Sequence, residues 1–140
     1  ADIPLIEIST LQHIAGSQLK KDMFCFPMLD ARRMEVYAAL LDTNQNFIIE
    51  PFSCLIDEYN WEELLLNKKI CFLGNGLQKA KNILSIFPNA ILLNDYIISA
   101  SSICSLADKK FNRKEFVDLA YHVPFYLKEA NVTVAKKRIL

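Results

Sequence analysis

Apolar and polar positions divide the chain into short blocks of two kinds. Met23-Phe24-Cys25-Phe26-Pro27-Met28-Leu29-Asp30 is apolar up to its last residue, whereas the next block alternates, with apolar Met34, Val36, Ala38 and Leu40. Residues 47–53 alternate again. The pattern predicts three strands over residues 23–30, 34–42 and 47–53, joined by polar turns at Asp30-Ala31-Arg32-Arg33 and Asp42-Thr43-Asn44-Gln45-Asn46. Alternation in the second and third strands suits an antiparallel pair, and the evenly apolar first strand suits a position with both faces covered.

Ser9-Thr10-Leu11-Gln12 has the form of a capping box opening a helix over residues 10–20, after a short strand at 5–8. Asn60 is placed to cap a helix from Trp61, with Glu63 at its third position and Lys68 and Lys69 at its close. Ile70-Cys71-Phe72-Leu73 is a short apolar strand ended by Gly74-Asn75-Gly76, after which Leu77, Ala80, Ile83, Leu84 and Phe87 recur at helical spacing as far as Pro88. A strand over 90–93 and a Ser- and Ala-rich helix over 97–110 follow. Asn112-Arg113-Lys114-Glu115 has a capping form and predicts a further helix carrying Phe116, Leu119 and Ala120, before an extended Val123-Pro124-Phe125-Tyr126-Leu127. Three strands in a meander, then alternating helices and strands, is the ribonuclease-H-like or actin-like order. It predicts an α/β lobe whose mixed sheet has three antiparallel strands followed by parallel βαβ units, with helices on both faces and at the C-terminal end.

At 140 residues the chain fits a single domain with a real core. A formal net charge of +0 provides no global field toward nucleic acid or an anionic membrane, so RNA contact requires a local patch or a partner. Lys136-Lys137-Arg138 reads as a solvated tail that can also touch RNA. The apolar runs fall far short of the roughly 20 residues a bilayer span needs, so no membrane association is expected. Cys25, Cys54, Cys71 and Cys104 each sit among apolar neighbours with no CxxC pair, and read as buried, reduced thiols of a cytoplasmic protein. The opening Ala1-Asp2-Ile3-Pro4 reads as a cut through a longer protein, and the hydrophobic fraction of 52% as surface that a lobe shares with its neighbour.

Chemistry-bearing residues are few. Gly74-Asn75-Gly76 lies where a buried strand hands over to a helix, a place that cradles phosphate in some folds and is a plain tight turn in others. Asp30, Arg32 and Arg33 stand at the end of the first strand, either facing a ligand cleft or partner or completing the turn. Asp95 has the same two readings, as a cleft residue or as a cap before Ile97. His13 and His122 are far apart in sequence, with no HxxxH pattern and no nucleophile elbow, so no metal or catalytic residue is expected.

Four segments carry a family resemblance. Ile3-Pro4-Leu5-Ile6 with Ile8-Ser9-Thr10-Leu11-Gln12, then Leu29-Asp30-Ala31-Arg32-Arg33-Met34-Glu35-Val36-Tyr37, then Phe72-Leu73-Gly74-Asn75-Gly76, then Pro124-Phe125-Tyr126-Leu127-Lys128, occur in family order. Together they resemble the bacterial TsaB (YeaZ, glycoprotease-like) family of tRNA threonylcarbamoyladenosine biosynthesis proteins. The resemblance implies that residues 1–140 are the C-terminal lobe of a two-lobed, actin-like protein whose N-terminal lobe is absent. It implies a non-catalytic scaffold for threonylcarbamoylation of the adenosine beside the tRNA anticodon, acting through the catalytic subunit TsaD with the ATPase TsaE. The remaining partners would be its own N-terminal lobe, a second copy of the full protein and, indirectly, tRNA. No cofactor is expected on this lobe alone, with ATP or ADP possible in the full complex. The alternative is a glycoprotease-like peptidase or a nucleotide-hydrolysing enzyme of the same fold.

Overall fold

The computed structural model describes residues 3–16 and 23–128. The elements are α1 (Thr10–Gly16), β1 (Phe24–Asp30), β2 (Glu35–Leu41), β3 (Phe47–Leu55), α2 (Trp61–Leu65), β4 (Ile70–Leu73), α3 (Leu77–Leu84), β5 (Ala90–Leu93) and α4 (Ala100–Asn112). They form one five-stranded sheet in the order β3-β2-β1-β4-β5. The β1–β2 and β2–β3 pairs are antiparallel, and β1–β4 and β4–β5 are parallel. This is the ribonuclease-H-like, actin-like arrangement expected from the order of the blocks, within a residue or two at most strand ends.

β1 and β4 are the inner strands that the apolar runs require. Residues 25–28 and 70–73 are all buried, because helices cover both faces, as the alternation of strand side chains demands. On one face Phe26, Met28, Val36, Phe72 and Ile70 pack against Trp61 and Leu65 of α2 and Leu77, Ala80 and Leu84 of α3. Phe26 is at its centre, with ring centroids 5.3 Å from Phe72, 5.7 Å from Trp61, 6.1 Å from Tyr59 and 6.2 Å from Phe52. Trp61 reaches this core because its indole N–H donates to the Ile56 carbonyl at 2.9 Å, so burying the ring leaves no orphan donor. The opposite face is thinner. There Cys25, Ala39, Leu41, Cys71 and Leu73 meet Leu11, Ile14 and Ala15 of α1, and α4 packs outside α1.

Local signals succeed where the polar side chain has no better tertiary partner. Asn60 caps α2 as expected: its Oδ1 accepts from the Glu63 N–H at 3.2 Å and its amide donates to the Glu63 carboxylate at 3.0 Å. At α1 the expected reciprocal box is replaced, because Gln12 turns away and donates to the Gln45 carbonyl at 3.1 Å. The helix expected over 10–20 is described as far as Gly16; its remaining four positions, like Ala1-Asp2 and Lys136-Lys137-Arg138, lie outside the described residues.

Four expectations are corrected. Residues 5–8 are not a strand of the sheet; Leu5 makes only an isolated bridge to Val117, whose N–H donates to the Leu5 carbonyl at 3.0 Å. Asn112-Arg113-Lys114-Glu115 ends a helix instead of opening one. Lys114 takes a left-handed φ of 56°, its N–H donates to the Phe111 carbonyl, and the Glu115 N–H donates to the Lys110 carbonyl. That is a Schellman closure of α4, and polar residues in sequence serve either helix end. Helix α4 begins at Ala100 and not at 97, with Ser99 as its extended N-cap; the Ser99 carbonyl accepts from His13 Nε2 at 2.9 Å, which pins the entry to α1. Cys104 is exposed on α4, while Cys25, Cys54 and Cys71 are buried, and no disulfide links any of the four.

Segment 97–126 keeps many large apolar side chains in solvent, among them Ile97, Phe111, Leu119, Tyr121, Val123, Phe125 and Tyr126. The core and this segment predict opposite responses to truncation. Phe26→Ala should lower unfolding stability by about 3–5 kcal/mol in urea titration, whereas Leu119→Ala, at a side chain 70% exposed, should change it by less than about 0.5 kcal/mol.

Candidate functional site

The C-terminal ends of the parallel strands β1, β4 and β5 lie along one edge of the sheet, and the singled-out segments meet there. β1 ends at Asp30, and a short turn returns the chain into β2 at Glu35. The turn closes with the Ala31 N–H donating to the Glu35 carbonyl at 3.1 Å, and Arg33 supplies its left-handed residue at φ 57°. The β2–β3 turn uses the same device, with Gln45 at φ 70°. There the Asp42 carboxylate accepts from the Asn44 and Asn46 N–H groups at 2.8 and 2.9 Å.

Gly74-Asn75-Gly76 is built against this hairpin. Gly74 has φ 107°, and a side chain there would run into the Met28 carbonyl oxygen. A Cβ on Gly76 would stand 2.8 Å from Val36 Cγ1 and 3.0 Å from the Leu29 carbonyl carbon. Only glycine lets the β4–α3 loop lie directly on β1 at both positions. The loop's polar groups point the same way. The Gly76 N–H donates to the Met28 carbonyl at 3.0 Å, and the Asn75 side-chain oxygen accepts from the Asp30 N–H at 2.8 Å. The Gly76 N–H and the Asn75 side-chain oxygen are thus spent on the β1 exit.

Two lysines from distant parts of the chain complete the edge. Lys79 of α3 forms an ion pair with Asp30 and donates to the carbonyls of Ala31 and of Glu35, the latter at 3.2 Å. Lys128 forms an ion pair with Glu35, which also accepts from the Ser53 hydroxyl. The Lys128 ammonium, and after it the Ser53 hydroxyl, hold the Glu35 carboxyl below its ordinary value of 4.5. Asp42 is also lowered: burial pushes it up, but the bonds from Asn46 and Asn44 together outweigh this. The buried thiols move the other way. Cys25 is raised by its bond with the Cys71 thiol and then by burial, and Cys54 is pushed up to about 11 by burial. Both are therefore poor nucleophiles.

Of the sequence candidates, Asp30 and Asn75 are in direct contact, and Gly74 and Gly76 frame them. Arg32 and Arg33 are exposed on the hairpin tip and make no ion pair among the described residues. Asp95 is exposed beyond the end of β5, at the same edge but two strands from β1, roughly 10 Å by strand spacing. It does not cap α4, whose N-cap is Ser99. Lys79 was missed from sequence, although a signal exists. It sits in the first turn of α3, where a cation opposes the helix dipole and no acidic residue accompanies it. Such a lysine is held by something outside its own helix. Among the described residues no group of three His, Cys, Asp or Glu side chains is placed to hold a metal ion, and no helix is long and apolar enough to cross a membrane.

No protein-family profile and no curated protein matches the sequence. Solved structures do match. One is a Pseudomonas aeruginosa protein described as uncharacterised with similarity to the peptidase YeaZ, at TM-score 0.69 and 18% identity over 89% of this chain. Another is YeaZ from Pseudomonas aeruginosa, at TM-score 0.65, again 18% identical over 89% of this chain. The fold is thus that of YeaZ, and the chain spans 59% of the length of each of those structures.

The edge predicts two outcomes. Gly74→Ala should cost about 2–4 kcal/mol in urea titration, from the left-handed backbone and the contact with β1. Glu35 is lowered in the folded state, so its contribution is complete above its ordinary value of 4.5 and is lost as pH falls below it. Thermal unfolding followed from pH 7 downward should therefore show a stability loss beginning below about 4.5, and Glu35→Gln should flatten it.

Proposed function

We propose that this chain is the C-terminal lobe of a TsaB-type, YeaZ-like subunit, a non-catalytic scaffold for threonylcarbamoylation of the adenosine beside the tRNA anticodon. The observation that carries the reading is the YeaZ fold across nearly the whole described chain, reached by a sequence whose four marked segments occur in that family's order. Three of those segments meet at one sheet edge, through Asp30, Asn75, Glu35 and Lys128. The hairpin's two carboxylates, Asp30 and Glu35, are engaged by Lys79, Lys128 and Ser53. Groups spent on internal bonds support a structural role over a catalytic one.

On this reading the chemistry takes place in the cytoplasm on the related catalytic subunit TsaD, with the ATPase TsaE joining and tRNA met indirectly. The exposed apolar side chains of segment 97–126 support an N-terminal lobe or a partner as their cover. ATP or ADP would be held only where two lobes enclose it, and pairing of the full protein would run through the other lobe. A peptidase reading rests on the description of one structural neighbour.

The test is calorimetry of this chain, and of the full-length protein it is proposed to belong to, with the catalytic threonylcarbamoyltransferase of the same organism. Saturable binding of the full-length protein, with no peptide or ATP hydrolysis by either sample, is expected. Turnover of casein or ATP by this chain that is abolished by Asp30→Ala would overturn the scaffold reading. The apolar segment should also bind a hydrophobic dye, with fluorescence that falls when the covering lobe is restored.

A further inference from the structure

The β1–β2 hairpin tip carries four charges, Asp30, Arg32, Arg33 and Glu35. Neighbouring opposite charges in one turn are expected to neutralise one another, and here they do not. Asp30 is paired with Lys79 from α3 and Glu35 with Lys128 from the extended C-terminal segment. Both arginines are left exposed, with no ion pair or hydrogen bond among the described residues. Lysines brought in from elsewhere satisfy the carboxylates, so two guanidinium groups stand unneutralised on the hairpin tip. Arg33 is also the residue held at φ 57°, a left-handed conformation unfavourable for a non-glycine residue.

Exposed apolar side chains belong to the same hairpin and its neighbouring strand. Met34, next in the turn, is 41% exposed, and Leu55, the register partner of Glu35 across β2 and β3, is 47% exposed. The Lys128–Glu35 pair also anchors the exposed Phe125 and Tyr126 a few residues away. Arginine beside aliphatic and aromatic side chains is the composition of a protein interface core. An RNA track needs a run of unneutralised cations along the phosphates, whereas the two lysines at this edge are already engaged by carboxylates. We infer that Arg32 and Arg33, with Met34 next to them in the turn, form a docking point for a partner protein that presents carboxylates next to apolar side chains, read bidentately by the guanidinium groups. The inference deepens the scaffold reading, in that it rests on the chain acting through protein contact, but not on which reaction it supports.

Two probes separate the possibilities: a fluorescein-labelled peptide of alternating Glu, Asp and Leu followed by anisotropy, and the catalytic subunit of the same organism followed by calorimetry with the full-length protein. The peptide should bind the chain, weaken as salt is raised from about 50 to 300 mM, and lose at least about tenfold in affinity in the Arg32→Ala/Arg33→Ala double variant. Arg33→Gly should bind more weakly while its melting temperature rises, because glycine relieves the left-handed backbone; this separates binding from folding. Peptide binding that is absent, or unchanged in these variants, overturns the inference, as does arginine-dependent binding of labelled oligouridine in its place. If the peptide behaves as expected and the catalytic subunit does not bind, the docking point stands and the tRNA-modification reading falls. If the peptide fails to bind and the catalytic subunit binds wild type and double variant equally, the docking point falls and that reading stands.

Discussion

Strand β1 is covered on both faces, and the rest of the structure follows from that constraint. A strand with Phe26 and Met28 on one side and Cys25 on the other leaves no solvated side on which polar groups could sit. Charge is therefore deferred to Asp30, at the point where the strand leaves the core. The β4–α3 crossover must pass that exit at backbone contact distance, which is why Gly74 and Gly76 are there and why the loop's hydrogen bonds are made to Met28 and Asp30. One buried strand thus dictates the composition of a turn more than forty residues later in the chain.

The same geometry determines which charges at the edge remain available. Helix α3 begins directly behind the hairpin, so its first-turn lysine reaches Asp30 and two hairpin carbonyls at once. That arrangement compensates a lysine for an unfavourable position on the helix dipole. The extended segment after α4 then brings Lys128 onto Glu35. With both carboxylates answered from a distance, the arginines in the turn have nothing local to bind. The hairpin's chemistry is outward-facing because its acidic groups are already committed.

The two faces of the sheet differ in how fully they are covered. The face under α2 and α3 carries the aromatic cluster around Phe26 and is closed by long-range packing. The face under α1 is smaller, and the segment from Ile97 to Tyr126 that lies beyond it leaves its larger apolar side chains in water. One side of the sheet is thus closed by its own helices, and the other adjoins a segment with its apolar side chains in solvent.

Strand and helix positions were legible because hydrophobic periodicity is a local property, written in consecutive residues: β1, β2, β4 and α3 could be read directly, and so could the Asn60 cap. What misled was chemistry that depends on a neighbour. Asn112-Arg113-Lys114-Glu115 has the letters of a helix start, yet it closes α4, because carbonyls of the preceding turn were waiting for its N–H groups. Ser9 and Gln12 have the letters of a capping box, yet Gln12 found Gln45. Asp30 and the glycines were visible as a possible site, but not that they touch. The sequence by itself determined the five strands of the sheet and which residues are apolar, because solvent sorts those one residue at a time; it did not exclude residues 5–8, which make only an isolated bridge. Only the tertiary structure decided which charge answers which, because an ion pair such as Glu35–Lys128 exists only after the chain between its members has folded.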